Sequence, residues 1–565
     1  MRFVTGICLT AALLASNAFA VPTAQSAAPT LPGFGGVERA ISTRVPQAQF
    51  FFNQGLQLAY AFDEAEAVRS FKAALAADPA CAMCAWGVAW QSGPTYNRQR
   101  GDDLSEARRY AALAHKLLPA TATPLERELA AAMVTRYGIA DAPASVAAAP
   151  EAAICGAAKD DKAHPLDVAY ARQMHMLSDA HPKDPDLQAL FVEAELIISP
   201  RSGYDLVRLR TLPRARTLIN RLEAALRAHP RHTGLIHYYT HAADTPDDAI
   251  RAAKVAESLP RLAPNSPHLL HMPSHLYIRL GRNADAVRAN QVALASQVRM
   301  THSLEKQGFK LLTDWNAHNR RFLWISAQVQ GDSTTAMAQA RQLADSAGAK
   351  SDDWSQFLRA MPLLTMVHFE QWASILDATT TPASTATVAP NVLAHARAMA
   401  LLRSSRAPEA QTYVLALEAL QGEAKAKGEP GKNGATFTGL LLAPIKADQA
   451  FARGDAAGAK SILTSAAADE PDYVTPERAV WAASAQRSLG YGLLRSSDFR
   501  NAEAAFRTDL KHLPANVWSL RGLHQALLGQ GRKSDAARVM TQWRQAAAGA
   551  DVALRPGASP PGMLK

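Results

Sequence analysis

The amino-acid sequence predicts an all-α protein in which pairs of helices stack into a solenoid. Alanine is abundant, aromatic residues make up only 7% of the chain, and no alternating run of Val, Ile and Thr stands out. A helical pattern of small and large apolar residues also recurs near both ends. At 565 residues the chain is too long for one compact core, which favours several domains or one elongated array.

The first repeat lies near the N-terminus. Gly55 and Ala67 are small enough to let two antiparallel helices approach each other, and Pro79 ends the second helix. Larger apolar side chains fill the space between the helices. The positions that fit the pattern are Phe51, Gly55, Leu58, Ala67, Phe71, Ala74 and Pro79. This spacing resembles the tetratricopeptide repeat (TPR), a helix pair of about 34 residues.

The pattern returns near the C-terminus, at Leu489, Gly490, Leu493, Ala502, Phe506 and Pro514. Ala502 and Phe506 recur 34 residues later as Ala536 and Met540. A weaker sign is a turn glycine with alanine five residues later, at Gly281/Ala286, Gly331/Ala336, Gly454/Ala459 and Gly531/Ala536. These pairs are unevenly spaced, which predicts a TPR-like α-solenoid with degenerate repeats and a concave ligand face.

Composition divides the chain into six parts. Residues 1–20 are predicted to be a signal peptide and residues 21–46, rich in Pro and Ala, a flexible lead-in. Residues 47–377 form an N-terminal TPR-like block with an insertion loop at 139–163. A linker at 378–390 joins it to a C-terminal TPR block at 391–545, and residues 546–565 are expected to be a disordered tail.

The first twenty residues carry the marks of secretion. Arg2 supplies a positive start, an apolar run follows, and Ala18-Phe19-Ala20 is an A-x-A cleavage site. The run is too short to span a bilayer, and no later segment is apolar enough to do so. We therefore expect cleavage after Ala20 and a monomeric protein in the periplasm or outside the cell.

Charge and cysteine content narrow the classes of partner. The net charge of +10 includes many arginines between Arg208 and Arg231, which are interpreted as a solvated helix face, because an exported protein seldom meets nucleic acid. Cys81 and Cys84 should open a helix. A local disulfide or simple packing of two small residues is favoured there over a redox or metal role, because no βαβ pattern surrounds them. The pairing of Cys155 stays open.

Histidines provide the strongest sign of local chemistry. Seven of the 17 fall within the 47 residues from His229 to His275. His237 and His241 lie four residues apart, as do His271 and His275, which places each pair on one helix face with Cβ atoms about 5–6 Å apart. The predicted metal ligands are His237, His241, Asp244, His268, His271 and His275, and a weaker candidate is His232.

Two interpretations of this cluster stand side by side. A single histidine on an inward helix face is more often a hydrogen-bonding group between repeats, whereas two pairs together suit Zn, Cu or Fe. No H-E-x-x-H, G-x-S-x-G or Walker motif is present, and Tyr238 follows His237 where a zincin has Glu. If the protein is an enzyme, metal-activated water is the expected mechanism.

Four strings resemble a family of exported bacterial TPR proteins that tend to show HYYIHAxE, HMPSHIYIRxG and PHNxHFLW in this order. They are Phe51–Asn97, His237–Asp244 (HYYTHAAD), His268–Gly281 (HLLHMPSHLYIRLG) and His318–Trp324 (HNRRFLW). Matching positions are His237, His241, His271, His275, His318, Asn319 and Asn97, whereas Asp244 replaces Glu, Arg321 replaces His and Thr95 replaces Asn. The resemblance implies a repeat protein and no settled activity.

Three functions follow from the sequence. The favoured one is a periplasmic scaffold that holds a protein, peptide or small ligand in its concave groove, with a histidine-rich metal site there. The second is a metal-dependent hydrolase or oxidase, and the third is a copper or zinc carrier that uses Met272, the histidines and Cys81/Cys84. Repeat folds more often bind partners than catalyse reactions, so the non-enzymatic interpretation is preferred.

Overall fold

The computed structural model describes residues 27–98, 100–101, 103–139, 163–199, 204–205, 210–377, 389–426, 437–469 and 484–551. The predicted signal peptide, Cys155 and the greater parts of the 139–163 insertion and the 378–390 linker lie outside these ranges. No helix in the described ranges is both long enough and apolar enough to cross a membrane.

Helices dominate the described chain. The N-terminal half contains α1 (Pro46–Tyr60), α2 (Glu64–Ala77), α3 (Ala82–Ser92), α4 (Ser105–Lys116), α5 (Pro124–Tyr137), α6 (Pro165–Ala180), α7 (Pro185–Ile197), α8 (Pro213–Ala228), α9 (Thr233–Ala242), α10 (Ala249–Ala256), α11 (Leu259–Leu262), α12 (Pro267–His271), α13 (Pro273–Arg279) and α14 (Asn283–Lys306). A two-residue antiparallel ladder, β1 (Tyr204–Asp205) with β2 (Arg210–Thr211), precedes α8.

The second half continues as α15 (Asn316–Gln330), α16 (Ser333–Ser346), α17 (Asp353–His368), α18 (Trp372–Leu376), α19 (Pro390–Arg403), α20 (Ala407–Ala426), α21 (Phe437–Ala452), α22 (Ala456–Asp469), α23 (Ala485–Arg495), α24 (Phe499–His512), α25 (Val517–Gly529) and α26 (Lys533–Ala546). Neighbouring helices pack in pairs, and alternate helices also touch, for example α1 with α3 and α19 with α21. This two-layer packing is that of a helical-repeat solenoid and confirms the predicted fold class.

The spacing of small and large residues explains the packing. A Cβ on Gly55 of α1 or on Gly87 of α3 would lie within 2.6 Å of the Phe71 ring, so both glycines make room for the same side chain. Near the C-terminus, Gly490 and Gly522 lie equally close to the Phe506 ring. The two predicted repeats therefore use the same device, a phenylalanine of one helix held between glycines of two others.

The weaker repeat sign is also confirmed. All four turn glycines have left-handed backbone, with φ of 69° at Gly281, 86° at Gly331, 78° at Gly454 and 74° at Gly531. Glycine suits these turns because it has no Cβ to clash there. The paired alanines are fully buried at Ala286, Ala336, Ala459 and Ala536.

Residues 27–45 correct the prediction of a flexible lead-in. This N-terminal strap (residues 27–45) runs extended over several helices and buries Leu31 and Phe34. Arg39 of the strap pairs with Asp184 and Asp186 at the start of α7. Its Pro- and Ala-rich composition is typical of disorder, but anchoring side chains at intervals hold it in place.

Two further boundaries differ from the sequence prediction. Residues 547–551 do not begin a disordered tail, because the Asp551 carboxylate accepts hydrogen bonds from Ser333 Oγ and Thr334 N at the start of α16.

The core also does not divide at 378–390. One apolar cluster spans residues 28–315, and a second extends from Trp324 to Trp543 across that linker. The boundary between these two clusters therefore lies at α15.

Candidate metal centre

Six histidines from four helices meet in two sets of three. The first trio is His237, His241 and His268, and the second trio is His271, His275 and His318. Within each trio, one ring nitrogen from every histidine lies within 4.8 Å of the others. Helices α9, α12, α13 and α15 supply these side chains.

Local sequence sets the direction of each helix. The His232 ring accepts a hydrogen bond from Leu235 N at the start of α9, and Ser266 does the same for Leu269 N at the start of α12. Pro273 opens α13, where a missing backbone N–H costs nothing. Met272, between α12 and α13, keeps helical backbone angles. Residues 268, 271 and 275 therefore share one helical face.

The first trio is arranged around His237. Its Nε2 lies 3.1 Å from both His241 Nε2 and His268 Nε2. On the other side of the ring, Nδ1–H donates to the backbone carbonyl of Tyr60 at 2.6 Å. A carbonyl can only accept, so the neutral His237 ring carries its proton on Nδ1 and presents a lone pair on Nε2.

The second trio repeats this arrangement around His271, whose Nε2 lies 3.0 Å from both His275 Nε2 and His318 Nε2. His271 Nδ1–H donates to Asn290 Oδ1 at 2.7 Å, and the Asn290 amide is oriented by its own bond to Ala286 O. His275 Nδ1–H donates to the Asp244 carboxylate at 3.3 Å. With both rings neutral, the Nε2 lone pairs of His271 and His275 therefore face each other.

The two trios adjoin each other. The ring centroids of His241 and His275 are 5.6 Å apart, and those of His268 and His271 are 5.7 Å apart. His237, His268, His271 and His275 are buried between helices and do not line an open groove, whereas His241 and His318 are partly exposed. Each trio therefore has one histidine that reaches solvent.

Aromatic side chains enclose the imidazoles. Phe62 contacts His237 with a centroid distance of 4.1 Å, Trp315 stacks on His268 at 3.9 Å, and Tyr96 contacts His241 at 4.4 Å. Phe322 covers the second trio, with its ring 4.4 Å from His275. These rings exclude water and lower the local dielectric constant, which strengthens any charge interaction inside.

Burial favours the neutral form, which is the form that binds metals, at five of these histidines. It lowers the pKa of His237 to about 3. The pKa values of His241, His268, His271 and His318 also lie well below the ordinary histidine value, first because of burial and second because of neighbouring imidazoles and, at His318, Arg321.

Other predicted residues have different positions. Asp244 bonds to His275 Nδ1 and pairs with Arg279, so its carboxylate orients a trio histidine and belongs to neither trio. His232 contacts Asp186, away from the trios. Asn97 is exposed, and the buried Asn319 amide has no hydrogen-bond partner among the residues that the structure describes.

Cys81 and Cys84 form a disulfide at the start of α3, which is one of the two structural alternatives that their spacing left open. In this state neither sulfur is a free thiolate, which is the form that binds metals. The proposed carrier role for these cysteines therefore has no support from the structure.

Several residues of the site were not predicted. Asn290, Tyr96, Trp315, Phe62 and Phe322 all touch a trio histidine. Phe62 has a left-handed backbone with φ of 59° at the α1–α2 turn, where later turns use Gly454 or Gly531. A bulky residue kept in a turn position that favours glycine is the sequence signal that could have pointed to it.

Comparison with known proteins adds little. No family model and no curated relative matches the chain. Among solved structures, the human IFIT1 dimer with m7Gppp-AAAA is 12% identical with a TM-score of 0.31, covering 90% of this chain and 92% of that one. Yeast Tom70 is 14% identical with a TM-score of 0.28, covering 88% and 92%. At such low scores the fold assignment rests on the helix packing itself.

Proposed function

We propose that the protein is a metalloprotein whose two histidine trios hold a pair of transition-metal ions. The facing Nε2 lone pairs of His271 and His275 carry this proposal. Two acceptor nitrogens 3.0 Å apart repel each other unless a cation lies between them. Metal–imidazole bonds of about 2.0–2.1 Å place two ligand nitrogens roughly 3.0–3.5 Å apart, which agrees with the Nε2–Nε2 distances from His237 and from His271 to their partners.

Copper is the ion that the ligands favour. Every predicted ligand is a neutral imidazole, and for such nitrogen donors Cu²⁺ binds most tightly among the divalent first-row ions. No carboxylate oxygen from the described residues joins either set of three. Zinc and iron pairs more often use carboxylates, which neutralise part of the charge.

The ligand number favours catalysis over a structural role. Structural zinc sites have four protein ligands, whereas catalytic sites keep three and leave one position open. Each trio supplies three ligands, and the partly exposed His241 and His318 mark where an external molecule enters. We therefore place the oxidative enzyme ahead of the scaffold that the sequence favoured.

Metal content tests the proposal. The full chain, produced without an affinity tag and supplied with copper, is analysed by plasma mass spectrometry. We predict two ions per chain, because the chain has two trios. His237→Ala/His241→Ala and His271→Ala/His275→Ala should each retain one, and exposed His302→Ala should retain both. Unchanged metal in either double variant, with helix content preserved by circular dichroism, would refute the proposal.

A second candidate function, ligand binding, is favoured by a cavity of about 140 Å³ in the C-terminal half. Most of its lining comes from helices α15, α17, α19, α21 and α23, and α18 and α22 also contribute. His368 Nδ1 and the Gln328 amide are buried there, and neither has a hydrogen-bond partner within the described part of the chain. Three arginines and two acidic residues give the lining a positive balance: Arg403, Arg487, Arg495, Asp448 and Glu370.

These features suit a small apolar molecule with an acidic group, since a cavity of about 150 Å³ holds one benzene ring. Calorimetric titration with benzoate tests this. Binding by the wild type that Gln328→Leu weakens would support it, and equal binding of benzyl alcohol would contradict the acidic preference.

We also propose that the protein is exported, on the predicted cleavage site after Ala20 and on the resemblance to exported TPR proteins. Expression of the full gene product followed by cell fractionation tests this. A periplasmic chain that begins at Val21 would support export, and an uncleaved cytoplasmic chain would contradict it.

A further inference from the structure

We infer that the two trios react with dioxygen, which takes one electron from each of two Cu(I) ions and is reduced to peroxide between them. This inference rests on the proposed copper pair and names its substrate. In the step, 2 Cu(I) and O₂ become 2 Cu(II) and O₂²⁻, so charge and atoms balance without a proton. The bond between the oxygen atoms weakens and is not broken.

Charge is the first argument. Six imidazoles contribute no negative charge, and Asp244, which contacts His275, is paired with Arg279 at 2.8 Å. By Coulomb's law two divalent ions repel each other fourfold more than two monovalent ions at the same separation and dielectric constant. Without an anion between the ions, this repulsion therefore favours the Cu(I)–Cu(I) pair over the Cu(II)–Cu(II) pair. The Cu(I) pair is the form that can donate electrons to dioxygen.

The peroxide product supplies the negative charge that the six imidazoles lack. Oxidation to two Cu(II) ions raises the charge inside an aromatic shell where little water screens it. A peroxide dianion formed between the ions offsets that increase. A neutral diatomic molecule can enter without carrying charge into the shell and becomes charged only where the two cations stabilise it.

Geometry is the second argument. The trios face each other through His241 with His275 and through His268 with His271, at centroid distances of 5.6 and 5.7 Å. Each trio leaves a coordination position open, and the two positions are close enough for one small molecule to span. Phe62 and Phe322 cover the outer faces of the rings, which favours a ligand of diatomic size over a bulky one.

Oxygen uptake tests the inference. The full chain is reduced with ascorbate without air, loaded with two Cu(I) ions, freed of reductant and exposed to oxygen. We expect one O₂ consumed per two copper ions, a new near-ultraviolet charge-transfer band, and almost no Cu(II) signal in electron paramagnetic resonance because the two spins couple. His302→Ala should behave like the wild type.

A half-site variant separates the two proposals. His318→Ala should keep one copper in the first trio, show a Cu(II) resonance signal after oxidation, and lose the charge-transfer band. Two bound copper ions with ordinary uncoupled Cu(II) signals and no band would overturn the dioxygen inference alone. Failure to bind two copper ions would overturn the proposed function as well.

Discussion

In His237 and His271, the hydrogen bond made by Nδ1 determines that Nε2 carries a lone pair. Tyr60 O fixes His237, and Asn290 Oδ1 fixes His271, so both rings direct lone pairs into their trios. Such partners outside the ligand set orient metal-binding histidines and raise their basicity. In the proposed copper site, these hydrogen-bond partners would therefore orient the ligands without touching the ions.

Asp244→Asn tests the role of such hydrogen-bond partners outside the ligand set. The variant keeps the shape of the side chain but removes the negative charge that faces His275 Nδ1 and Arg279. Loss of such a partner typically weakens metal binding about 10- to 100-fold. We predict this loss at one of the two copper sites, measured by competition with a chelator of known affinity. Exposed Asp247→Asn should leave both sites unchanged, and equal binding by Asp244→Asn would contradict the assigned role.

Individual helices bring their histidines together through close contacts. A Cβ on Gly234 of α9 would lie 2.6 Å from the Tyr60 ring, whose hydroxyl is held by Asp186. The glycine thus lets α9 approach the end of α1, where Tyr60 O meets His237.

Gly234→Ala should therefore act on both stability and metal binding. Overpacking typically costs about 1–3 kcal/mol, more than the roughly 0.5–1 kcal/mol that alanine gains in a helix. We predict a lower free energy of unfolding in urea and weaker copper binding by the first trio. Gly422→Ala in α20 has open space around it and should be neutral or slightly stabilising. If both variants behaved alike, the contact with Tyr60 would have no role.

A buried carboxyl beside α3 gives a pH-dependent stability. Burial raises the pKa of Glu193 to about 7, although Arg136 opposes the shift, and Trp90 Nε1 donates to its carboxyl at 2.7 Å. Between pH 4.5 and about 7 the unfolded carboxyl is ionised while the folded one keeps its proton. Folding therefore binds a proton, and the stability from this group falls as pH rises through that window.

Glu193→Gln should remove this dependence. The amide still accepts from Trp90 and never ionises, so the variant should exceed the wild type in unfolding free energy above pH 7, by up to about 3 kcal/mol. Urea unfolding at pH 5 and pH 8 measures the difference. Exposed Glu305→Gln serves as the control. A gap between Glu193→Gln and the wild type that does not widen with pH would contradict the raised pKa.

Local spacing was enough to predict the helices but not the trios. The intervals between His237 and His241 and between His271 and His275 place each pair on one face, as the structure shows. His268 of α12 belongs to the trio of His237 on α9, although His271 is nearer to it in sequence. The tertiary contact between these two helices brings His268 and His237 together. His318 comes from α15, and only tertiary contacts bring it to His271.

Across the whole molecule, the sequence predicted the helical repeats but not the packing of the extended N-terminal strap. The glycines around Phe71 and Phe506 mark repeats that sequence alone identifies. The N-terminal strap has no helical period, so nothing in its sequence predicts that Thr30 bonds with Gln307, the residue that follows the C-terminal end of α14. That strap ties α1, α7 and α14 together around the histidines, which makes the N-terminal half one packed unit.

The most direct test of the copper pair is anomalous X-ray diffraction at the copper edge from crystals of the copper-loaded full chain. We predict two strong peaks in each molecule. One should lie within bonding distance of the Nε2 atoms of His237, His241 and His268, and the other of His271, His275 and His318. A single peak, or copper bound elsewhere while both trios hold no metal, would contradict the account.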